Sequence, residues 1–420
     1  MTTPPPASPT PPPTGREHPA ETDRDAVESD RIARITWSLI AEPSDAAALL
    51  ATTVLGPARA LDLVRRRDLD GLLSALDGGP PRQGSDPLAG SATDRMSHAI
   101  DRWSRRLGRV CVDAVREEAG RRGIRIITPH DAEWSPLLDD LQETAPHCLW
   151  AQGPGRLDAL TGPRTISLVG SRASTPYGED TASTMAASFA SGGGSVVSGG
   201  AYGIDAAAHR GALAAAGGAT LAILAGGLDR LYPRGNSRLL ETIGARHLLV
   251  SEAPPGTAPT RWRFLARNRL IAALSRATVV VEASWRSGAL STARLADQLS
   301  RPVGAVPGPV TSAASAGCHR LVRERGAVLI TEPAELLDLL PGGPSAGESG
   351  FAVQDELDLL APPDRRVLDA VPPRSSITET RLADDIGFRD VDVAAALARL
   401  ELLGLVVRTA ERVRRARPTS

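Results

Sequence analysis

Between residues 165 and 330 the chain repeats one unit: a short apolar run, a glycine-rich turn, then a stretch of helical periodicity. The apolar runs fall at 166–169, 195–197, 220–224, 246–251, 278–281, 303–306 and 327–330. Few of them alternate polar with apolar residues, so both faces of each strand need cover. The helical stretches between them, such as 181–191 and 204–216, supply it. This pattern predicts an α/β domain, Rossmann-like and doubly wound, on a mostly parallel sheet.

The flanks read differently. Residues 1–30 are rich in Pro, Thr and Ser, then acidic, with too little apolar surface to offset ordering entropy; a disordered tail is expected. Residues 31–120 show apolar positions at three- and four-residue spacing and read as a small helical domain, with a Gly/Pro/Ser-rich loop at 79–92. The period changes near Gly123, where a short strand is expected at 124–127, opening a Rossmann-like domain at 121–340. Residues 341–355 read as a linker. Over 356–415, three short helices (364–370, 378–386, 391–403) followed by the start of a hairpin outline a winged helix.

In a doubly wound sheet, ligands sit beyond the carboxyl ends of the strands. The informative motifs fall there: Gly170-Ser171-Arg172, Ser198-Gly199-Gly200 leading through Gly203-Ile204-Asp205 into a helix, Gly226-Gly227-Leu228-Asp229, Ser251-Glu252, Ser287-Gly288 with Thr292, and Pro307-Gly308. One such turn is weak, because glycine is also the default for tight bends. Six at successive strand ends mark a long, backbone-lined groove. Beside them, between Glu252 and Glu282, the chain carries no acid and contains Arg261-Trp262-Arg263-Phe264-Leu265-Ala266-Arg267-Asn268-Arg269. Arginine forks bind phosphate and aromatic faces stack on bases, which suits a single-stranded nucleic acid. The competing reading is an amphipathic helix whose Trp262 and Phe264 are core and whose arginines are merely solvated.

Composition narrows the chemistry. All 48 basic residues are arginine, which excludes a Schiff-base lysine, a lysine general base and a P-loop. The formal net charge is -1, so any nucleic-acid site is a local patch. Three scattered cysteines without metal-ligand spacing, no signal-peptide core and no membrane-length apolar run fit a protein of the reducing cytosol. A nicotinamide site is disfavoured because Ser198 stands at the first glycine of the dinucleotide fingerprint. The next strand also ends in Gly226-Gly227 rather than a carboxylate. The candidate acids Asp205, Glu252 and Glu282 form no recognisable triad or metal set with His209 or His319.

In these motifs, together with Tyr232-Pro233, Asn236 and Arg267-Asn268-Arg269, the chain resembles the bacterial DNA-processing protein A family (DprA, also called Smf), most strongly over 123–340. The resemblance implies a non-enzymatic single-stranded DNA-binding homodimer that helps load the RecA recombinase during DNA uptake, with no cofactor or metal. It implies that Arg172, Arg261 and Phe264 contact phosphates and bases and that the backbone of Ser198, Gly199 and Gly200 lines the pocket. Gly170, Ser171, Arg267, Asn268, Arg269, Ser287, Gly288 and Thr292 complete the expected DNA- and phosphate-binding set. Tyr202, where many members have arginine, is expected to remove a charge from the pocket floor. Leu265-Ala266 and His319 also depart from the family pattern. The alternative is a nucleotide or nucleoside-phosphate hydrolase using the same turns. Against it, Arg294 and Leu295 stand where related hydrolases carry a carboxylate. The C-terminal region, whose presumed recognition helix holds Asp392, Arg399 and Glu401, suits protein contact or a structural role better than duplex reading.

Overall fold

The apolar runs become neighbouring strands of one nine-stranded sheet. The computed structural model describes residues 21–77, 92–342, 360–372, 375–409 and 412–416, in two units that divide between Gly343 and Pro344. The first unit opens with helices α1 (Glu21–Ile40), α2 (Ala46–Leu55), α3 (Pro57–Arg66), α4 (Leu69–Asp77), α5 (Ala92–Leu107) and α6 (Val112–Arg121). Their core is built on Trp37 and Trp103, whose rings meet edge to face at 5.0 Å. Helix α1 begins at Glu21, so the tail expected to reach residue 30 is helical over its last ten residues. Ion pairs explain this: Glu28 reaches Arg116, and Asp30 holds Arg34 and His130. The loop expected at 79–92 falls almost wholly outside the described residues, as does most of the linker expected at 341–355.

Strands β1 (Ile124–Ile127) and β2 (Leu149–Gln152) precede helix α7 (Leu157–Leu160). Then β3 (Thr165–Val169), α8 (Pro176–Ser191), β4 (Ser195–Ser198), α9 (Ile204–Ala214), β5 (Ala219–Leu224), α10 (Ser237–Arg246), β6 (Leu248–Ser251), α11 (Arg261–Ala273), β7 (Ala277–Val280), α12 (Ala289–Gln298), β8 (Val303–Ala305), α13 (Ala316–Arg325), β9 (Val328–Leu329) and α14 (Glu335–Asp338) alternate as expected. The strand order is β1-β2-β6-β5-β4-β3-β7-β8-β9. From β6 to β9 all neighbours are parallel, while β2 runs antiparallel to both β6 and β1.

Alternate strand residues serve opposite faces. Val169, Val197 and Val280 pack with Leu270 and Ile271 of α11 and Ala289 and Ala293 of α12. Leu168, Val196 and Val279 pack with α8 and α9 through Ala182, Met185, Ala207 and Ala208. Each of these strands, β3, β4 and β7, is therefore buried on both sides, which is why its sequence shows no alternation. The chain steps outward from β3 to β6 on one side, then crosses to β7, β8 and β9 on the other. The loops after β3 and β7 thus part over a crevice, the place where doubly wound sheets bind ligands.

The second unit contains α15 (Pro362–Ala370), β10 (Ile377–Thr378), α16 (Glu379–Ile386), α17 (Asp390–Leu402), β11 (Val406–Thr409) and β12 (Arg412–Arg415), with antiparallel strand order β10-β12-β11. Leu382, Val393, Leu397 and Val413 centre its core. Among the described residues no single helix is long and apolar enough to cross a membrane.

Candidate nucleic-acid interface

The turn after β3 is locked before it can meet any ligand. Ser171 donates its N–H to the Glu282 carbonyl at 2.7 Å, and its own carbonyl accepts from Ile204 N–H at 3.2 Å. A Cβ at Gly170 would sit 2.5 Å from Ile204 Cγ1, so only glycine lets the turns after β3 and β4 close together. Arg172, at the tip, remains exposed.

Helix α11 forms the facing wall. Thr260 caps it, its hydroxyl accepting from Arg263 N–H at 3.3 Å. The loop that launches it is pinned by the turn after β5: Asp229 Oδ1 accepts from Gly256 N–H at 2.7 Å, and Gly227 N–H donates to the Thr257 carbonyl at 2.9 Å. One face of the helix then presents Arg261, Phe264, Leu265, Arg267, Asn268 and Ile271 to a cleft of about 680 Å³. Gly170, Ser171, Arg172, Asp205, Tyr232, Arg286, Ser287, Gly288 and Thr292 line it from the strand-end loops.

The four arginines of the run separate by helical geometry. Arg261 is exposed at the cleft rim. Arg263 turns to the helical domain, where its Nε and Nη2 donate to the two Glu42 oxygens, each at 3.0 Å. Arg267 lies on the cleft floor, 95% buried, donating to the carbonyls of Gly199 (2.8 Å) and Ile223. Arg269 gives both terminal nitrogens to Glu252, at 2.7 and 2.8 Å, and its Nε to the Thr144 carbonyl.

Phe264 is half-buried between cations and a second ring. The Arg172 guanidinium lies 4.5 Å from its centroid, Arg267 lies 5.9 Å away, and the Tyr232 ring sits at 5.9 Å. Burial lowers the Arg267 pKa to about 10, with Arg172 adding to the effect and Asp205 opposing it, and the guanidinium stays charged at neutral pH. Its Nε has no hydrogen-bond partner. Asp205 accepts the N–H groups of Gly199 (3.2 Å) and Ala201 (3.4 Å). Burial raises its pKa, against the opposing pull of Arg267 and those N–H groups.

Ten expected site residues are therefore brought to the cleft: Gly170, Ser171, Arg172, Arg261, Phe264, Arg267, Asn268, Ser287, Gly288 and Thr292. Four are not. Ser198 Oγ donates to the Leu168 carbonyl at 2.6 Å, and the Gly200 carbonyl accepts from Asn236 Nδ2 at 3.1 Å. A Cβ on Gly199 would meet the Arg267 guanidinium at 2.2 Å, so this glycine makes room for arginine rather than for phosphate. Arg269 is consumed by Glu252. Tyr202 also corrects an expectation: it is exposed, its hydroxyl accepts from Gly235 N–H at 3.1 Å, and it lies outside the cleft lining.

Tyr232, read in the sequence as part of the motif after β5 but not as a site residue, lines the cleft, and so does Arg286, which the motif reading did not single out. The signal for Arg286 was its place directly before Ser287-Gly288. The remaining candidates for acid–base work are occupied. Glu282 holds Thr175, the cap of α8, accepting from its N–H (2.9 Å) and Oγ1 (2.6 Å). His209 is fully buried against Thr220 at 2.7 Å, its pKa lowered to about 3 by burial first. His319 contacts the Gly308 carbonyl at 3.0 Å. Among the described residues no three His, Cys, Asp or Glu side chains group as a metal site.

Residues 125–341 match the family model described as DNA recombination-mediator protein A. The chain is 42% identical over 384 residues to a DprA-type DNA processing protein of Mycobacterium tuberculosis, covering 88% of this chain and 90% of the relative. It is 37% identical over 291 residues to protein Smf of Escherichia coli, covering 67% of this chain and 74% of that one. The X-ray structure of DNA processing protein A from Streptococcus pneumoniae aligns with a TM-score of 0.56 at 29% identity, covering 74% of this chain and 98% of that chain.

Proposed function

Because this chain belongs to the DNA recombination-mediator protein A family, we propose that it binds single-stranded DNA in the strand-end cleft, without sequence preference, and delivers it to the RecA recombinase in DNA uptake or recombination. The observation that carries this reading is the make-up of the cleft: Arg172, Arg261, Arg267 and Arg286 face one carboxyl, Asp205, with the rings of Phe264 and Tyr232 between them. A single strand uses both features, phosphates on arginine forks and unstacked bases on ring faces, whereas a duplex hides its base faces. Phosphate and ring contacts carry no base code, hence the lack of sequence preference.

The homodimer belongs to the same proposal. Strand β9 closes the sheet at one edge, pairing with β8 alone, and its Val328 and Leu329 are each 49% exposed. An exposed apolar edge is a template for pairing with a second copy. Two clefts would then hold one strand with avidity beyond either alone. The element order of the second unit supports a winged-helix reading. Its α17 offers little to duplex DNA, since Arg399 is held bidentately by Asp364 and Asp392 by Arg389.

The test is the affinity for oligo-dT across a salt series. With three exposed arginines at the cleft, log affinity should fall with log salt with a slope of about -2. A flat response, or tighter binding to duplex of equal length, overturns the reading.

Asp205 favours a second reading. A buried carboxyl on the cleft wall with a raised pKa has the property of a general acid, as in a nucleotide hydrolase. Base released from nucleoside monophosphates, and lost in Asp205→Asn, would establish it. Glu252 does not qualify, since Arg269 holds both its oxygens.

A further inference from the structure

Trp285 lies on the loop between β7 and α12, flanked by Ser284 and Arg286, both of which line the cleft. It is 52% exposed, and the Arg320 guanidinium of α13 lies 4.8 Å from its ring centroid. Glu324, one turn further along α13, fixes Arg320 by accepting from its Nε at 2.7 Å. The indole is thus braced by a planar cation on one face, with about half of the residue left open. Glu324 offsets the charge of Arg320, so the pair contributes ring surface more than attraction for phosphate.

The loop also reaches a second recess. Glu282, at its start, lines a space of about 560 Å³ with Tyr177, Pro307 and Pro309, and this recess is mainly apolar. Tyr177 is 49% exposed and its hydroxyl donates to the Pro307 carbonyl at 2.8 Å. Within five residues the loop passes from the recess, at Glu282, to the cleft, at Arg286, with Trp285 next to the cleft end.

We infer that Trp285, braced by Arg320, is a second base-stacking platform that carries a single strand out of the cleft toward the Tyr177 recess. The inference rests on the single-stranded DNA reading above and adds to it a path and a length. Stacking on an indole is tolerant of sequence, as is the rest of the cleft, and Arg286, the next residue and part of the cleft lining, would take the intervening phosphate.

The test compares oligo-dT of about 4 and about 12 nucleotides, both within the range of single-strand site sizes. Arg172→Ala should weaken both. Trp285→Ala should weaken the longer oligo roughly tenfold or more, the expected worth of one stacked base, and leave the shorter unchanged. Trp285→Phe, which keeps a ring, should restore most of the loss. Equal weakening at both lengths by Trp285→Ala, no weakening at either, or no rescue by phenylalanine overturns the platform. If Arg172→Ala weakens both lengths while Trp285→Ala changes nothing, the platform alone fails. If the unsubstituted chain binds neither oligo, the cleft reading fails first.

Discussion

Arg267 and Arg269 stand two positions apart on α11 and have unrelated tasks. Arg267 secures the carboxyl ends of β4 and β5 beneath Phe264, while Arg269 neutralises a buried carboxylate. Arg269→Ala strands Glu252 and should cost about 3–5 kcal/mol of stability, read by chemical denaturation. The folded fraction should bind oligo-dT as before. Arg172→Ala or Arg261→Ala should do the reverse, keeping stability while weakening all DNA sequences about equally. Phe264→Ala should cost about 1–3 kcal/mol of binding if its ring stacks on a base. Unfolding of that variant would instead make the ring core.

His147 and His209 add a pH dependence, since burial lowers both pKa values to about 3. Unfolded imidazoles take a proton near pH 6.5 and the folded ones do not, so the unfolded state binds more protons in between. Stability is therefore complete above about pH 6.5 and falls as pH drops toward 3, by up to about 1.4 kcal/mol per pH unit for each group. Denaturant midpoints measured at pH 7 and pH 5 check the sign.

At the scale of elements, α11 is set in place from both ends of its charged stretch. Glu42 of the helical domain takes Arg263 and also Arg106, at 2.8 Å. Glu42→Ala removes two charge-assisted contacts outside the cleft and should cost about 1.5–3 kcal/mol. Faster amide exchange in the first turn of α11 and weaker oligo-dT binding should accompany the loss. The turn after β4 meets the helix through Gly199, where a methyl would displace Arg267. Gly199→Ala should destabilise by about 1–3 kcal/mol through overpacking and lower DNA affinity, measured by thermal unfolding and titration together.

Much of this was legible in the helix itself. Positions 264, 267, 268 and 271 share one face at three- and four-residue spacing, which leaves 263 and 269 on others. The run of arginines hid that division because residue type was uniform while partners were not. The turns were legible as turns, but glycine spacing does not say whether the freed space takes a ligand or, as at Gly199, a neighbouring side chain.

At the scale of the whole molecule, the exposed edge of β9 bears on assembly. Leu329→Arg should leave a monomer by light scattering, with and without oligo-dT, while short-oligo affinity stays unchanged. Filament-loading assays with the host recombinase then test delivery, which the monomer should perform poorly if two clefts share a strand. The sequence by itself determined an α/β architecture on a mostly parallel sheet, because strands covered on both faces are written as continuous apolar runs with helices between them. It also pointed to the strand ends, where the cleft lies, through the serial glycine turns after β3, β4 and β7. Only the tertiary structure decided which side chains share that site. Tyr232 and Arg286 enter through loops and Arg269 leaves toward Glu252, 17 positions away. Contacts at such separations depend on how helices and loops seat over the sheet, and no local spacing encodes them.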